Sequence, residues 1–315
     1  MAHYDIFNGD ADGLCALVQI RLENPMESTI VTGVKRNIRL LENLNLAKGD
    51  SILAMDISLA RNHDLVVDAL ERGVEITWID HHLPGDEIEN EKLSTHIDVS
   101  SDVCTSVIVD RLLQGKRKSW AAVAAFGDSM NETGNSLCEQ CGMLNEINSL
   151  KRLGRLLNYN SYGRNIEDLW INPKKLFQSL LEAEDPLTFI NTDEYKLLSE
   201  GYDSDYSKAR ECISSREDKE FIILPNEAWA FRISGTLAHI IAEEEPDIPH
   251  IIATELENNA LLISLRAPAN EPTGAGEVCA KFGGGGRAAA GGVDALPINN
   301  ITDFIKDVQM RWTSR

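Results

Sequence analysis

The chain has 315 residues, enough for two domains that each bury a separate core. Acids outnumber bases by 50 to 30, a net charge of -20. That excludes a protein that holds long nucleic acid by charge alone, or that binds a membrane surface through basic residues. With 43% hydrophobic and 25% charged residues the composition is that of a globular protein, and a short anionic ligand stays allowed.

The first hundred residues alternate short apolar runs with helical patterns. Strands are predicted at His3–Phe7, Ser28–Val34, Ile52–Met55 and Val74–Ile79, and helices at Gly13–Leu22 and Asp64–Leu70. Alternation of this kind predicts an α/β domain: a parallel sheet with helices on both faces and all strand C-terminal ends on one rim. From Thr105 the spacing turns helical, at Thr105–Leu113, Trp120–Phe126, Leu144–Leu157 and Lys174–Ala183. The polar stretch Gly201–Lys219 has no apolar face and reads as a helical connection. A smaller α/β region follows. Phe221–Leu224 and Trp229–Ile233 read as strands, and Ser234 as the cap of a helix through Ala242. Ile251–Glu255 and Ala260–Leu265 flank a turn at Leu256–Asn259, and a short helix at Val278–Phe282 leads into a glycine run. The expected division is 1–190, a connection over 191–219, and 220–315.

No stretch reaches the roughly 18 continuous apolar residues of a membrane span. Met1–Phe7 lacks a basic region followed by a long apolar run, so the expected location is the cytoplasm. Cys138 and Cys141 form a CxxC pair, with no second pair to complete a zinc site. Cys15, Cys104, Cys212 and Cys279 sit among apolar neighbours and read as small core residues.

The chemistry gathers at strand ends. The first predicted strand runs into Asn8-Gly9-Asp10-Ala11-Asp12-Gly13, the third into Asp56, and the fourth into Asp80-His81-His82. In an open α/β sheet the ligand site lies beyond the carboxyl ends of the strands. Carboxylates crowded there repel one another unless a cation joins them. Oxygen ligands with imidazole suit manganese or magnesium, and there are enough for two ions, a set that supports in-line displacement at phosphorus.

These residues resemble the DHH phosphoesterase superfamily. The next expected element is an acid after an apolar helix, and Trp120–Gly127 followed by Asp128 supplies it. Further on, Ala280-Lys281-Phe282 followed by Gly283–Gly286, Arg287 and Ala288–Gly292 resembles the glycine-rich motif of the DHH-associated domain. Ser264-Leu265-Arg266 is similar to that domain's strand ending in arginine. The resemblance implies roles. Asp56 would bridge two divalent ions, manganese foremost, with magnesium or cobalt as alternatives. Asp10 would serve one ion, with Asn8 or water. Asp12, His81 and Asp128 would serve the other. Asp80 would orient the imidazoles and His82 would face the scissile phosphate. Arg266, Gly284, Gly285, Gly286 and Arg287 would grip a terminal phosphate or nucleotide.

Two departures stand out. Relatives carry a further His or Asp just before the first aspartate pair, where this chain has Ile6 and Asn8. Arg287 stands where most relatives have His. The implied activity is hydrolysis of short oligonucleotides or small nucleotides to nucleoside monophosphates, as in nanoRNases and RecJ-type exonucleases. A cyclic dinucleotide or 3'-phosphoadenosine 5'-phosphate is the alternative substrate, and a non-catalytic nucleotide-binding regulator the alternative class. The glycine-rich motif argues against a family II pyrophosphatase. Partners are then a short nucleotide substrate, with no long duplex and no membrane. A homodimer is compatible with the habits of the relatives.

Overall fold

A computed structural model describes residues 1–214 and 221–312. The chain divides into two compact units, Met1–Glu200 and Gly201–Arg315. The first unit runs β1 (His3–Asn8), α1 (Ala11–Glu23), β2 (Thr29–Gly33), β3 (Ser51–Met55), α2 (Leu59–Glu71), β4 (Glu75–Asp80) and β5 (Leu93–Ile97). Helices follow: α3 (Thr105–Leu112), α4 (Lys118–Gly127), α5 (Asn131–Gln140), α6 (Ile147–Ser161), α7 (Pro173–Ala183), α8 (Pro186–Phe189) and α9 (Asp193–Ser214). The division between units falls within α9. Of the expected connection, residues 215–219 lie outside the described residues.

The five strands form one parallel sheet in the order β2-β1-β3-β4-β5. Its alternation sorts side chains onto two faces. Ile6, Ile52, Ala54, Ile76 and Trp78 share one core with Leu59, Val66, Ala69 and Leu70 of α2. On the other face Phe7 meets Phe177 of α7, and Arg21 of α1 donates to Asp5 at 2.7 Å. Helices therefore cover both faces, as the alternation predicts. α1 is buried from Ala11 to Gln19, so its sequence shows little polar face. Two glycines bring the helices close enough to shape the rim. A Cβ on Gly127 would lie 2.4 Å from Ala11 Cβ, and one on Gly154 would lie 2.3 Å from the Val123 carbonyl.

The second unit contains β6 (Phe221–Leu224), α10 (Ala228–Glu244), β7 (His250–Glu255), β8 (Ala260–Arg266), α11 (Ala275–Ala280), β9 (Gly285–Gly286), β10 (Ala290–Pro297) and α12 (Ile301–Trp312). Its mixed sheet has the order β6-β7-β8-β10-β9, with only β6 and β7 parallel among the described pairings. The predicted turn between β7 and β8 is present, with Asn258 and Asn259 both left-handed at φ of 68° and 55°. Asparagine tolerates that region better than most residues. Among the described residues no helix is long and apolar enough to cross a membrane.

Two expectations need correction, and one strand is added. Trp229–Ile233 is not a strand but the first turns of α10, a helix buried almost all round. Four apolar residues interrupted by Arg232 fit either state, and the length of the buried pattern decides for helix. Ser234 is consequently inside that helix, where its hydroxyl donates to the Phe231 carbonyl at 2.9 Å instead of capping. β5 is an edge strand that the sequence reading lacked. Ser94 and Thr95 are exposed, leaving too few apolar residues to mark it.

Candidate metal centre

The rim receives Asp10 and Asp12 after β1, Asp56 after β3, and Asp80, His81 and His82 at the end of β4. Asp128 arrives from elsewhere, as the residue that ends α4. The structure therefore brings all seven together, and all but His82 and Asp128 are buried.

Local hydrogen bonding fixes each side chain. Asp10 caps α1, its Oδ1 accepting from the backbone N–H groups of Asp12 and Gly13 at 3.1 and 3.2 Å. Asp12 reaches across to α3, whose own N-cap Cys104 makes no side-chain cap bond. Asp12 Oδ2 accepts from Thr105 N–H and Oδ1 from Ser106 N–H, both at 2.7 Å. Asp56 sits at φ 55°, held by donation of its N–H to the Ile79 carbonyl at 3.1 Å. Asp80 Oδ1 accepts from His81 N–H at 2.8 Å and lies 2.7 Å from His82 Nδ1.

His81 organises one end of the cluster. Its Nδ1 lies 3.0 Å from the Val103 carbonyl, which can only accept, so Nδ1 carries a proton and Nε2 turns to the carboxylates. From Nε2, Asp56 Oδ1 is 3.4 Å away, Asp128 Oδ2 3.7 Å and Asp12 Oδ2 3.9 Å. One donor atom each from Asp12, His81 and Asp128 lies within 4.8 Å of the others, and the same holds for Asp56, His81 and His82. Hard oxygens around one imidazole nitrogen fit a divalent cation of the manganese or magnesium type.

The electrostatics agree. Burial pushes the Asp56 carboxyl well above the ordinary carboxylate range, and the charges of Asp10, Asp12 and Asp128 push it further. Asp128 is raised by burial and by Asp12 and Asp10, against the pull of Lys35 and His81. Asp10 goes the other way. Burial raises it, but the Lys35 ammonium and the hydrogen bonds it accepts win and hold it at about 2.

Two residues of this site were missing from the sequence reading. Lys35, two positions past β2, places Nζ on Asp10 Oδ2 and 3.9 Å from Asp128 Oδ1. Its position after a strand on the same rim was the available clue. Asn158 of α6 accepts from Ala11 N–H at 3.0 Å and donates to the Gly127 carbonyl. It ties the start of α1, with Asp10 and Asp12, to the end of α4, with Asp128. Nothing local in the sequence marks it, because its two partners are 147 and 31 positions away.

In the second unit Arg266 ends β8, with Nη2 3.2 Å from His239 Nε2. Gly285 and Gly286 pair with Gly292 and Gly291 of β10. Fold requirements account for part of this run. A Cβ on Gly284 would lie 2.1 Å from the Gly292 carbonyl, and Gly286 has φ 145° with its would-be Cβ 2.3 Å from the Ala290 carbonyl. A Cβ on Gly285 would meet nothing within 4 Å. Arg287 follows, exposed, its N–H donating to the Ala290 carbonyl at 2.8 Å.

No family model matches the sequence, and no curated protein matches it. Solved structures do. Exonuclease RecJ bound to manganese matches at TM-score 0.60 and 17% identity, covering 100% of this chain and 90% of that one. The pGpG-specific phosphodiesterase PggH from Vibrio cholerae matches at TM-score 0.55 and 14% identity, covering 100% and 99%. RecJ from Thermus thermophilus in complex with Mn2+ matches at TM-score 0.64 and 17% identity, with 100% of this chain on 52% of that one. At these identities the likeness establishes the fold. It is the fold that the DHH resemblance implied, an N-terminal parallel sheet, a helical middle and a second, mixed sheet.

Proposed function

We propose that the chain is a divalent-metal-dependent phosphodiesterase that hydrolyses short oligonucleotides or dinucleotides to nucleoside monophosphates, with manganese as the preferred ion. The observation that carries the reading is His81 Nε2 set among carboxylate oxygens of Asp12, Asp56 and Asp128, delivered by three separate segments. The neighbours in fold include a manganese-bound exonuclease and a pGpG-specific phosphodiesterase, chemistry of the same kind.

Asp12, Asp56, His81 and Asp128 would hold the ion. When bound, it supplies Lewis acidity and lowers the pKa of a coordinated water. The chain's own residues then position and stabilise. Asp80 accepts the Nδ1 proton of His82 and fixes the ring, so Nε2 is the atom that meets substrate. A doubly protonated His82 donates from Nε2 to a phosphate oxygen as charge develops there. Arg266, Arg287 and the backbone at Gly285 are the candidates for a terminal phosphate, through charge-assisted bonds and an unobstructed main chain.

The test is a comparison of initial rates with manganese on dinucleotides, longer oligomers, cyclic dinucleotides and 3'-phosphoadenosine 5'-phosphate. Dinucleotides are expected to be fastest. Asp56→Ala and His81→Ala are each expected to lower turnover by orders of magnitude in a folded protein. Wild-type rates in both variants would sink the assignment.

A further inference from the structure

The Asp10 end of the cluster already holds a cation of the protein's own. Lys35 Nζ is paired with Asp10 Oδ2, and the other Asp10 oxygen accepts two backbone N–H groups. Both oxygens of the carboxylate are thus engaged by donors of the chain. The lysine is firmly placed. Its N–H donates to the Ser161 carbonyl at 2.9 Å, and its carbonyl accepts from Asn8 Nδ2 at 3.3 Å. Its ammonium also lies 5.6 Å from the centroid of the Tyr162 ring, a cation–π distance.

Asn8 brings no charge to this end. Its buried Oδ1 accepts no hydrogen bond among the described residues, but one neutral oxygen does not replace a carboxylate for a hard dication. At the opposite end His81 Nε2 faces carboxylate oxygens of Asp56, Asp128 and Asp12. Asp128 spans the two ends, Oδ1 toward Lys35 and Oδ2 toward His81.

We propose that this centre holds one divalent ion, at the His81 end, and that the Lys35 ammonium takes the place of a second ion at Asp10. The inference rests on the phosphodiesterase reading and changes its metal count. Competition for Asp10 supports it. A second dication beside an intact Lys35 would have to displace the ammonium from Asp10 Oδ2 or the two backbone N–H groups from Oδ1.

Equilibrium dialysis of the full chain against Mn2+, read by elemental analysis and electron paramagnetic resonance, tests the count. The wild type is expected to retain one ion per chain, with the six-line spectrum of an isolated Mn2+. The double variant Asn8→Asp, Lys35→Ala, checked for folding by circular dichroism, is expected to retain two, with the spectrum of a coupled pair. Two tightly held, coupled ions in the wild type overturn the proposal, whatever the variant does. A folded double variant that still holds one ion overturns the role given to Lys35. Hydrolysis of bis(p-nitrophenyl) phosphate, run in parallel, separates the two readings. Two ions with hydrolysis defeat the count alone. One ion without hydrolysis of this or any panel substrate defeats the phosphodiesterase reading alone, and no bound ion defeats both.

Discussion

Single residues in this centre carry two duties at once. Asp12 is a candidate ligand, and it also caps α3 through both carboxylate oxygens, so its removal strikes the fold as well as the ion. Asn158 has a purely positioning role, and substitution isolates it. Asn158→Leu leaves the buried Ala11 N–H and Gly127 carbonyl without partners, at a cost of about 2–4 kcal/mol. Mn2+ affinity measured by titration calorimetry is expected to fall roughly tenfold or more, because the candidate ligands on α1 and after α4 lose their common tether. Retained affinity with lowered stability would reduce Asn158 to a packing residue. The carboxyls also set a pH dependence. Without a cation, Asp56 in the folded chain keeps a proton that the unfolded chain has lost. Stability of the metal-free protein contributed by this group therefore falls as pH rises from the unfolded value of about 3.9 through the raised one. Asp10 has the opposite sign: its contribution is present above the unfolded value and is lost as pH falls through about 2. A dication held by Asp56 would replace that proton. The Tm difference between Mn2+-loaded and chelator-treated protein is expected to be larger near pH ~8 than near pH ~5.5. A flat or shrinking difference in scanning calorimetry contradicts this.

At the scale of elements, packing constrains some positions of the glycine run and leaves others open. Gly286 needs φ 145° and close approach to Ala290, so Gly286→Ala is expected to cost about 1–3 kcal/mol by denaturant titration. Gly285 is sterically open, and Gly285→Ala is expected to cost under about 0.5 kcal/mol. If its backbone meets a phosphate, the same change raises KM with kcat nearly constant. An unchanged KM removes Gly285 from the binding surface. The same scale explains what the sequence reading missed. Trp229–Ile233 is locally ambiguous, and only the burial that continues through Leu237, Ala238, Ile240 and Ile241 makes it helix. Exposure on one edge deprived β5 of its alternation.

For the whole molecule the net charge of -20 would set how the proposed nucleotide substrates arrive. The candidate phosphate-binding cations, Arg266 and Arg287, are few and local. A long single strand must bring many phosphates against an acidic surface, whereas a dinucleotide brings few. Added salt screens that repulsion, with a Debye length of about 10 Å at 0.1 M. Hydrolysis of a long single strand is expected to speed up, relative to a dinucleotide, as ionic strength rises from low values. A basic, charge-driven nuclease shows the reverse, and a fall in the long-strand rate relative to the dinucleotide would count against substrate selection by global charge.

By itself the sequence determined the parallel sheet, the rim, and five of its acids with both histidines. Strand alternation and the direction of parallel strands are local rules, and they suffice to send Asp10, Asp12, Asp56, Asp80, His81 and His82 to one edge. Asp128 was legible through its motif, because it ends an apolar helix in the expected order. The tertiary structure decided which of these atoms face one another, that Asp12 also holds α3, that Asn158 locks two helix ends together, and that Lys35 sits on Asp10. Those facts depend on contacts between residues 25 to 147 positions apart. No local pattern encodes a side chain's distant partner; close packing of α1, α3, α4 and α6 does.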